Sequence, residues 1–121
     1  MHELAICQAL LAQVEPIARE HAARIERIRL SVGPLSGVDA GQLARAFELA
    51  RQGSAAAEAE LAISTAPVRV RCRDCDAESP ATPNRLLCAR CGSWRTRLAS
   101  GDELLLLGID LTDARVEADA A

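Results

Sequence analysis

The chain has 121 residues, half of them hydrophobic, a net charge of -3, and only two aromatic side chains, Phe47 and Trp94. That length holds one ordinary domain, or a small domain with a metal-stabilised insert, and its core must be aliphatic. All 14 basic residues are arginine, so a Walker A phosphate loop, a Schiff-base lysine and a lysine general base are excluded, and no apolar run is long enough to span a bilayer.

Leu4, Cys7, Leu11, Val14 and Ala18, flanked by Leu10 and Ile17, recur at helical spacing and predict an amphipathic helix over residues 4 to about 22. Pro16 lies inside it and removes a backbone donor, at up to about 3 kcal/mol unless the helix kinks or restarts, so a kink is expected near Ala12 to Pro16. Ile28, Leu30 and Val32 alternate with Arg27, Arg29 and Ser31, a strand with one buried face that Gly33-Pro34 stops. Asp39 is placed to cap a second helix with an apolar face of Leu43, Ala46, Phe47 and Ala50, and Gly53 to end it. A second strand follows at Leu61, Ile63 and Thr65, with Val68 and Val70 continuing it. Leu105, Leu107, Ile109 and Leu111 form a strand expected to be central or buried on both faces, while residues 112–121, small and acidic, are expected to fray.

Between these strands lie Cys72, Cys75, Cys88 and Cys91, two C-x2-C pairs separated by twelve residues. Each pair puts two sulfurs on one side of a tight bend, and the intervening loop lets the second bend complete a tetrahedron around one metal. Gly92 can take the positive φ that turns backbone N–H groups toward the thiolates. Structural zinc is the commoner occupant of such a site; a single iron, as in a rubredoxin-like electron carrier, is the other. Two disulfides would need an oxidising compartment, but the start of the chain does not read as a signal peptide and Cys7 would be left over, so a reduced cytoplasmic protein is expected. The expected fold is α/β, a small sheet flanked by two helices, over residues 1–66 plus 102–121, with an inserted four-cysteine zinc-ribbon-like module over 67–101.

Residues 69–97 carry seven arginines against Asp74, Asp76 and Glu78, so the remainder carries seven against fourteen acids. Two readings stay open: a surface for nucleic acid or an acidic partner, or arginines that offset the negative charge of a zinc tetrathiolate. The first makes the chain a zinc-ribbon adaptor for nucleic acid or a protein partner. Acidic total charge and the shortage of stacking aromatics argue against nucleic acid. No enzyme is expected, because both histidines lie near the amino terminus and no nucleophile, base and orienter set is apparent.

The opening Met1-His2-Glu3 offers a second coordination set. The amine of Met1, the amide nitrogen of His2 and its imidazole Nδ1 form fused chelate rings in one plane, and the Glu3 amide or a carboxylate can fill the fourth position. Nitrogen-rich square geometry suits Ni(II) and Cu(II). Set against this, His2 can be an exposed polar residue and Glu3 a favourable charge near a helix start. Cys7 reads as a packed core thiol and His21 as solvated.

Met1-His2-Glu3-Leu4 with Ile6-Cys7-Gln8 and Leu10-Leu11, then Val32-Gly33-Pro34-Leu35-Ser36-Gly37-Val38, Phe47-Glu48, Cys91-Gly92-Ser93 and Ser100-Gly101-Asp102-Glu103-Leu104 together resemble the HypA/HybF nickel metallochaperones of [NiFe]-hydrogenase maturation, over nearly the whole chain to Leu111. The resemblance implies a cytoplasmic accessory protein that passes Ni(II) toward the hydrogenase large subunit with a nickel-binding GTPase, in some organisms also supporting urease, and that needs neither nucleic acid nor membrane. It implies nickel at Met1, His2 and Glu3, and zinc at Cys72, Cys75, Cys88 and Cys91. The chain departs from the family pattern at Pro16, at Ala89 where a proline often sits, and in lacking an aromatic soon after Cys75; none of these removes a metal donor. No histidine follows His21, so an exchange of cysteine for histidine ligands within the module is chemically closed.

Overall fold

The structure, a computed structural model, describes residues 2–117. The elements run α1 (His2–Glu20), β1 (Ile25–Val32), α2 (Ala40–Ala50), β2 (Glu60–Thr65), β3 (Arg69–Cys72), β4 (Glu78–Pro80), β5 (Thr96–Ser100), β6 (Leu104–Leu111) and β7 (Arg115–Glu117). The strands make one sheet in the order β2-β1-β6-β7 and another in the order β4-β3-β5. The chain packs as two compact units: one comprises the chain up to Leu30, Asp39–Ser64 and the chain from Leu105, the other Ser31–Val38 and Thr65–Leu104. The sequence boundaries, 1–66 plus 102–121 and 67–101, had put Ser31–Val38 in the first unit. Backbone bonds explain the difference: the Gly33 N–H donates to the Glu103 carbonyl at 2.7 Å and the Leu35 N–H to the Gly101 carbonyl at 2.8 Å.

The first unit has an aliphatic core. Cys7, Leu10, Leu11, Val14 and Ala18 of α1, Leu43 and Phe47 of α2, Ile25, Ile28 and Leu30 of β1, and Ile109 and Leu111 of β6 are all buried, the helical residues at three- and four-residue intervals. Complete burial of Phe47 or Leu43 contributes about 1.5–3 kcal/mol each. α1 continues through Pro16 as one element rather than restarting; Ala12 and Pro16 are both exposed, so water can satisfy the Ala12 carbonyl that loses its partner. The Asp39 carboxylate accepts the Gln42 N–H at 2.9 Å, capping α2 as expected. The far end differs from expectation. α2 stops at Ala50, with the Arg51 N–H donating to the Phe47 carbonyl at 3.0 Å, and Gly53, at φ +75°, shapes the turn beyond.

β6 occupies a central place in the larger sheet, as its sequence suggested, but burial on both faces does not hold along its length. Leu105 and Leu107 are 48% and 39% exposed, and dense packing begins only at Gly108. The expected fray over 112–121 is also corrected in part: β7 pairs antiparallel with β6, Ile109 opposite Val116, while residues 118–121 lie outside the described residues. Ion pairs lace β1, β6 and β7 together. Arg29 meets Asp110 at 3.4 Å and Glu117 at 3.0 Å, and Arg115 meets the same two carboxylates; the Glu117 bond holds the Arg29 guanidinium above its ordinary pKa and Glu117 below its own.

In the second unit Val68, Val70 and Cys72 are buried at alternate positions. Val68 and Val70 do not continue β2; Val70 belongs to β3, which pairs antiparallel with β4 on one side and β5 on the other. Gly33 and Gly101 close the unit by near contact. A Cβ on Gly33 would stand 2.2 Å from the Gly101 oxygen, and Gly101, at φ +116°, packs against Val68. Two motifs 68 positions apart in the chain therefore touch.

Candidate metal centres

Cys72 ends β3, Cys75 lies in the turn before β4, and Cys88 and Cys91 lie in the turn before β5. The four sulfurs converge, all within 4.8 Å of one another, with Cys72 to Cys91 at 3.5 Å and Cys75 to Cys88 at 3.6 Å. A tetrahedron with Zn–S bonds of about 2.3 Å has edges of about 3.8 Å, so the observed spacing fits one ion at the centre. The two turns repeat one pattern. Cys72 N–H donates to the Ala77 carbonyl and Asp76 N–H to the Cys72 carbonyl; Cys88 N–H donates to Ser93 and Gly92 N–H to Cys88 in the same way. In each, the first sulfur accepts the N–H of the second cysteine at 3.4 Å.

Those amides set the thiol acidities. Hydrogen bonds from the Cys91 and Arg90 N–H groups bring Cys88 down to about 6, and the Cys75 and Asp74 N–H groups lower Cys72. The partners behave oppositely. Although the Ser93 N–H draws it down, Cys91 is pushed up to about 12 by its hydrogen bonds to the other sulfurs and by burial. Cys75 is likewise raised by burial and its sulfur neighbours against the pull of the Ala77 N–H. Each turn thus supplies one acidic thiol and one that surrenders its proton only to a metal.

At the amino end, Met1 lies outside the described residues. His2 opens α1 with an exposed side chain. Glu3 is buried, and its carboxylate accepts the Asp39 N–H at 3.4 Å, so it is turned toward the start of α2. The amides of His2 and Glu3 belong to the first turn of a helix, where N–H groups have no intrahelical acceptor. Cys7 is a core thiol, as expected: it is fully buried, its Sγ lies 3.6 Å from the Leu43 carbonyl, and burial raises its pKa. His21 is exposed.

Residues 1–111 match the family model described as "Hydrogenase/urease nickel incorporation, metallochaperone, hypA". The chain belongs to the HypA family. It is 42% identical to the hydrogenase maturation factor HypA of Nitrosospira multiformis, covering 92% of this chain and 97% of the relative, and 37% identical, over the same shares, to that of Aquifex aeolicus. Among solved structures, the Ni metallochaperone HypA from Helicobacter pylori superposes with a TM-score of 0.65 at 28% identity, covering 90% of this chain and 96% of the other. A solution structure of a HypA protein gives 0.72 at 30% identity, covering 94% of this chain and 98% of the other. HypA proteins are maturation factors that serve nickel incorporation and are not enzymes. No helix among the described residues is long and apolar enough to cross a membrane.

Several residues that shape this HypA chain's cysteine cluster escaped the sequence reading. Gly92 takes φ +77° as expected, but Asp76 takes φ +62° at the equivalent place in the first turn, and its position four residues after the leading cysteine was the available signal, since aspartate tolerates the left-handed region better than most side chains. Asp74 ties the turns together, accepting a hydrogen bond from the Ser93 hydroxyl and pairing with Arg95 at 3.5 Å. Buried Ser79 of β4 accepts the Ala89 N–H at 3.0 Å, holding the second turn against the sheet.

Proposed function

We propose that this chain binds Ni(II) at its amino terminus and delivers it, in the cytoplasm, for maturation of [NiFe]-hydrogenase, while zinc held by Cys72, Cys75, Cys88 and Cys91 plays a structural part. The nickel donors are the amine of Met1, the amide nitrogen and Nδ1 of His2, and a nitrogen from Glu3. The Glu3 carboxylate is already engaged with the Asp39 N–H, which favours the Glu3 amide as the fourth donor. Recruiting amides from the first turn of α1 breaks no helical hydrogen bond. A square complex keeps open axial faces, through which an acceptor ligand enters before the old donors leave. The four-thiolate site has no such opening, which suits zinc as a structural ion.

Its working partners on this reading are a nickel-binding GTPase and the hydrogenase large subunit, with urease accessory proteins as further recipients. The observation that carries the reading is family membership over residues 1–111 together with the exposure of His2 at the start of α1. Metal analysis of untagged protein should count one nickel and one zinc per chain. His2→Ala, and separately a blocked amino terminus, should each lose nickel and keep zinc; nickel retained by both would overturn the assignment.

A further inference from the structure

The arginines of the second unit make no side-chain hydrogen bond to the sulfurs among the described residues; each Sγ accepts hydrogen bonds from backbone N–H groups or meets another sulfur. All three acids of residues 69–97 are already used: Asp74 by Arg95, Asp76 by Arg71, and Glu78 by Arg69 and Arg71. Arg73, Arg85, Arg90 and Arg97 form no ion pair with a carboxylate among the described residues. A zinc tetrathiolate bears two negative charges, so four unmatched arginines still leave the segment positive.

Strand register gathers this charge on one face. Arg71 lies directly opposite Arg97, and the Arg73 N–H donates to the Arg95 carbonyl at 2.7 Å. Alternation puts Arg69 and Arg71 on the side away from buried Val70 and Cys72, and Arg73 follows, exposed, in the turn after β3. Like charges directly opposite across a strand pair are destabilising. Beside Arg95, at the entrance to β5, Trp94 stands 77% exposed. An aromatic of that size left in water, close in the chain to the unpaired Arg97, has the makings of an interface anchor.

We propose that the β3/β5 face, with its unpaired Arg73 and Arg97 and with Trp94 exposed in the bend before β5, is a docking surface for a short carboxylate-rich segment of a partner protein. Guanidinium forks match carboxylates in paired hydrogen bonds, and the indole covers an apolar side chain between them. A short segment fits better than nucleic acid. The rest of the chain carries seven arginines against fourteen acids and would repel a long polyanion, and one exposed aromatic stacks a single base. The inference is independent of the nickel assignment.

Fluorescence anisotropy of a short labelled peptide of alternating glutamate and serine with one central leucine, titrated with zinc-loaded protein, tests this. Binding should weaken steeply with salt, and Arg73→Gln with Arg97→Gln should reduce affinity about tenfold or more while zinc content is unchanged. Trp94→Ala tests the same face without touching the arginines and should also weaken binding. Arg19→Gln with Arg45→Gln, the same change of charge on exposed helix positions, should leave affinity as it was. Four results would each overturn the proposal: no peptide binding at low salt, equal weakening by the helix pair, tighter binding of oligothymidine of equal length, or concentration-dependent self-association that Arg73→Gln with Arg97→Gln abolishes.

Discussion

Replacing Gly33 with alanine should be far more damaging than its ordinary backbone conformation suggests. The new Cβ would lie 2.2 Å from the Gly101 oxygen, 2.4 Å from its carbonyl carbon and 2.9 Å from the Asp102 nitrogen. All three are backbone atoms, and normal non-bonded separation is roughly 3.5 Å, so the two segments must part by roughly 1 Å. That opening stretches the Gly33–Glu103 and Leu35–Gly101 bonds, now 2.7 and 2.8 Å. Loss of two such bonds at about 0.5–1.5 kcal/mol each, with overpacking at about 1–3 kcal/mol, gives about 2–6 kcal/mol. Gly37 is the control: it has φ +79° and nothing near its missing Cβ, so alanine there meets only left-handed strain of about 1–2 kcal/mol. Thermal unfolding should rank Gly33→Ala well below Gly37→Ala, with a Tm loss of about 10 °C for the former, and amide exchange at Gly33 and Leu35 should accelerate. Equal Tm values for the two variants, with exchange at those amides unchanged, would refute the reasoning.

Asp39→Ala removes the α2 cap and should destabilise by about 1 kcal/mol, with Asp39→Asn near neutral, as chemical denaturation would record. Zinc loading at pH 7 should release fewer than four protons, because Cys88, at about 6, is already mostly thiolate while Cys91, at about 12, is not; calorimetry in buffers of different ionisation enthalpy gives the count. The sign then follows for acidification: protonating Cys88 removes a ready donor, so zinc affinity should fall increasingly steeply as pH drops through about 6, visible as release to a chromogenic chelator. Alkylation followed by mass spectrometry should leave Cys7, fully buried and with its pKa raised by burial, unmodified until the chain unfolds.

Periodicity made the helices and β1 legible, because Cys7, Val14 and Phe47 recur where a buried stripe requires them. The metal cluster was legible from spacing alone. What eluded sequence reasoning depends on partners distant in the chain. Val70 looks the same whether it extends β2 or starts a second sheet, and only pairing with Ser79 and Leu98 decides. Leu105 and Leu107 look like core residues because a run of leucines carries no information about which neighbours are present; their exposure reflects what surrounds β6. β4 and β7, three residues each, are too short for any period to register. At the amino end, the sequence supplied a donor set for nickel, and the structure adds that the Glu3 side chain faces Asp39.

The repeated turns at Cys72–Ala77 and Cys88–Ser93 have a consequence for how the module comes together. Each is a self-contained pincer with its own backbone bonds, and the stretch between them contributes none of the sulfurs. A proteolytic nick near Pro83 would leave both pincers intact. β3 and β5 would still pair across the break, so the ion would add a second link between the fragments, one of sulfur beside one of backbone.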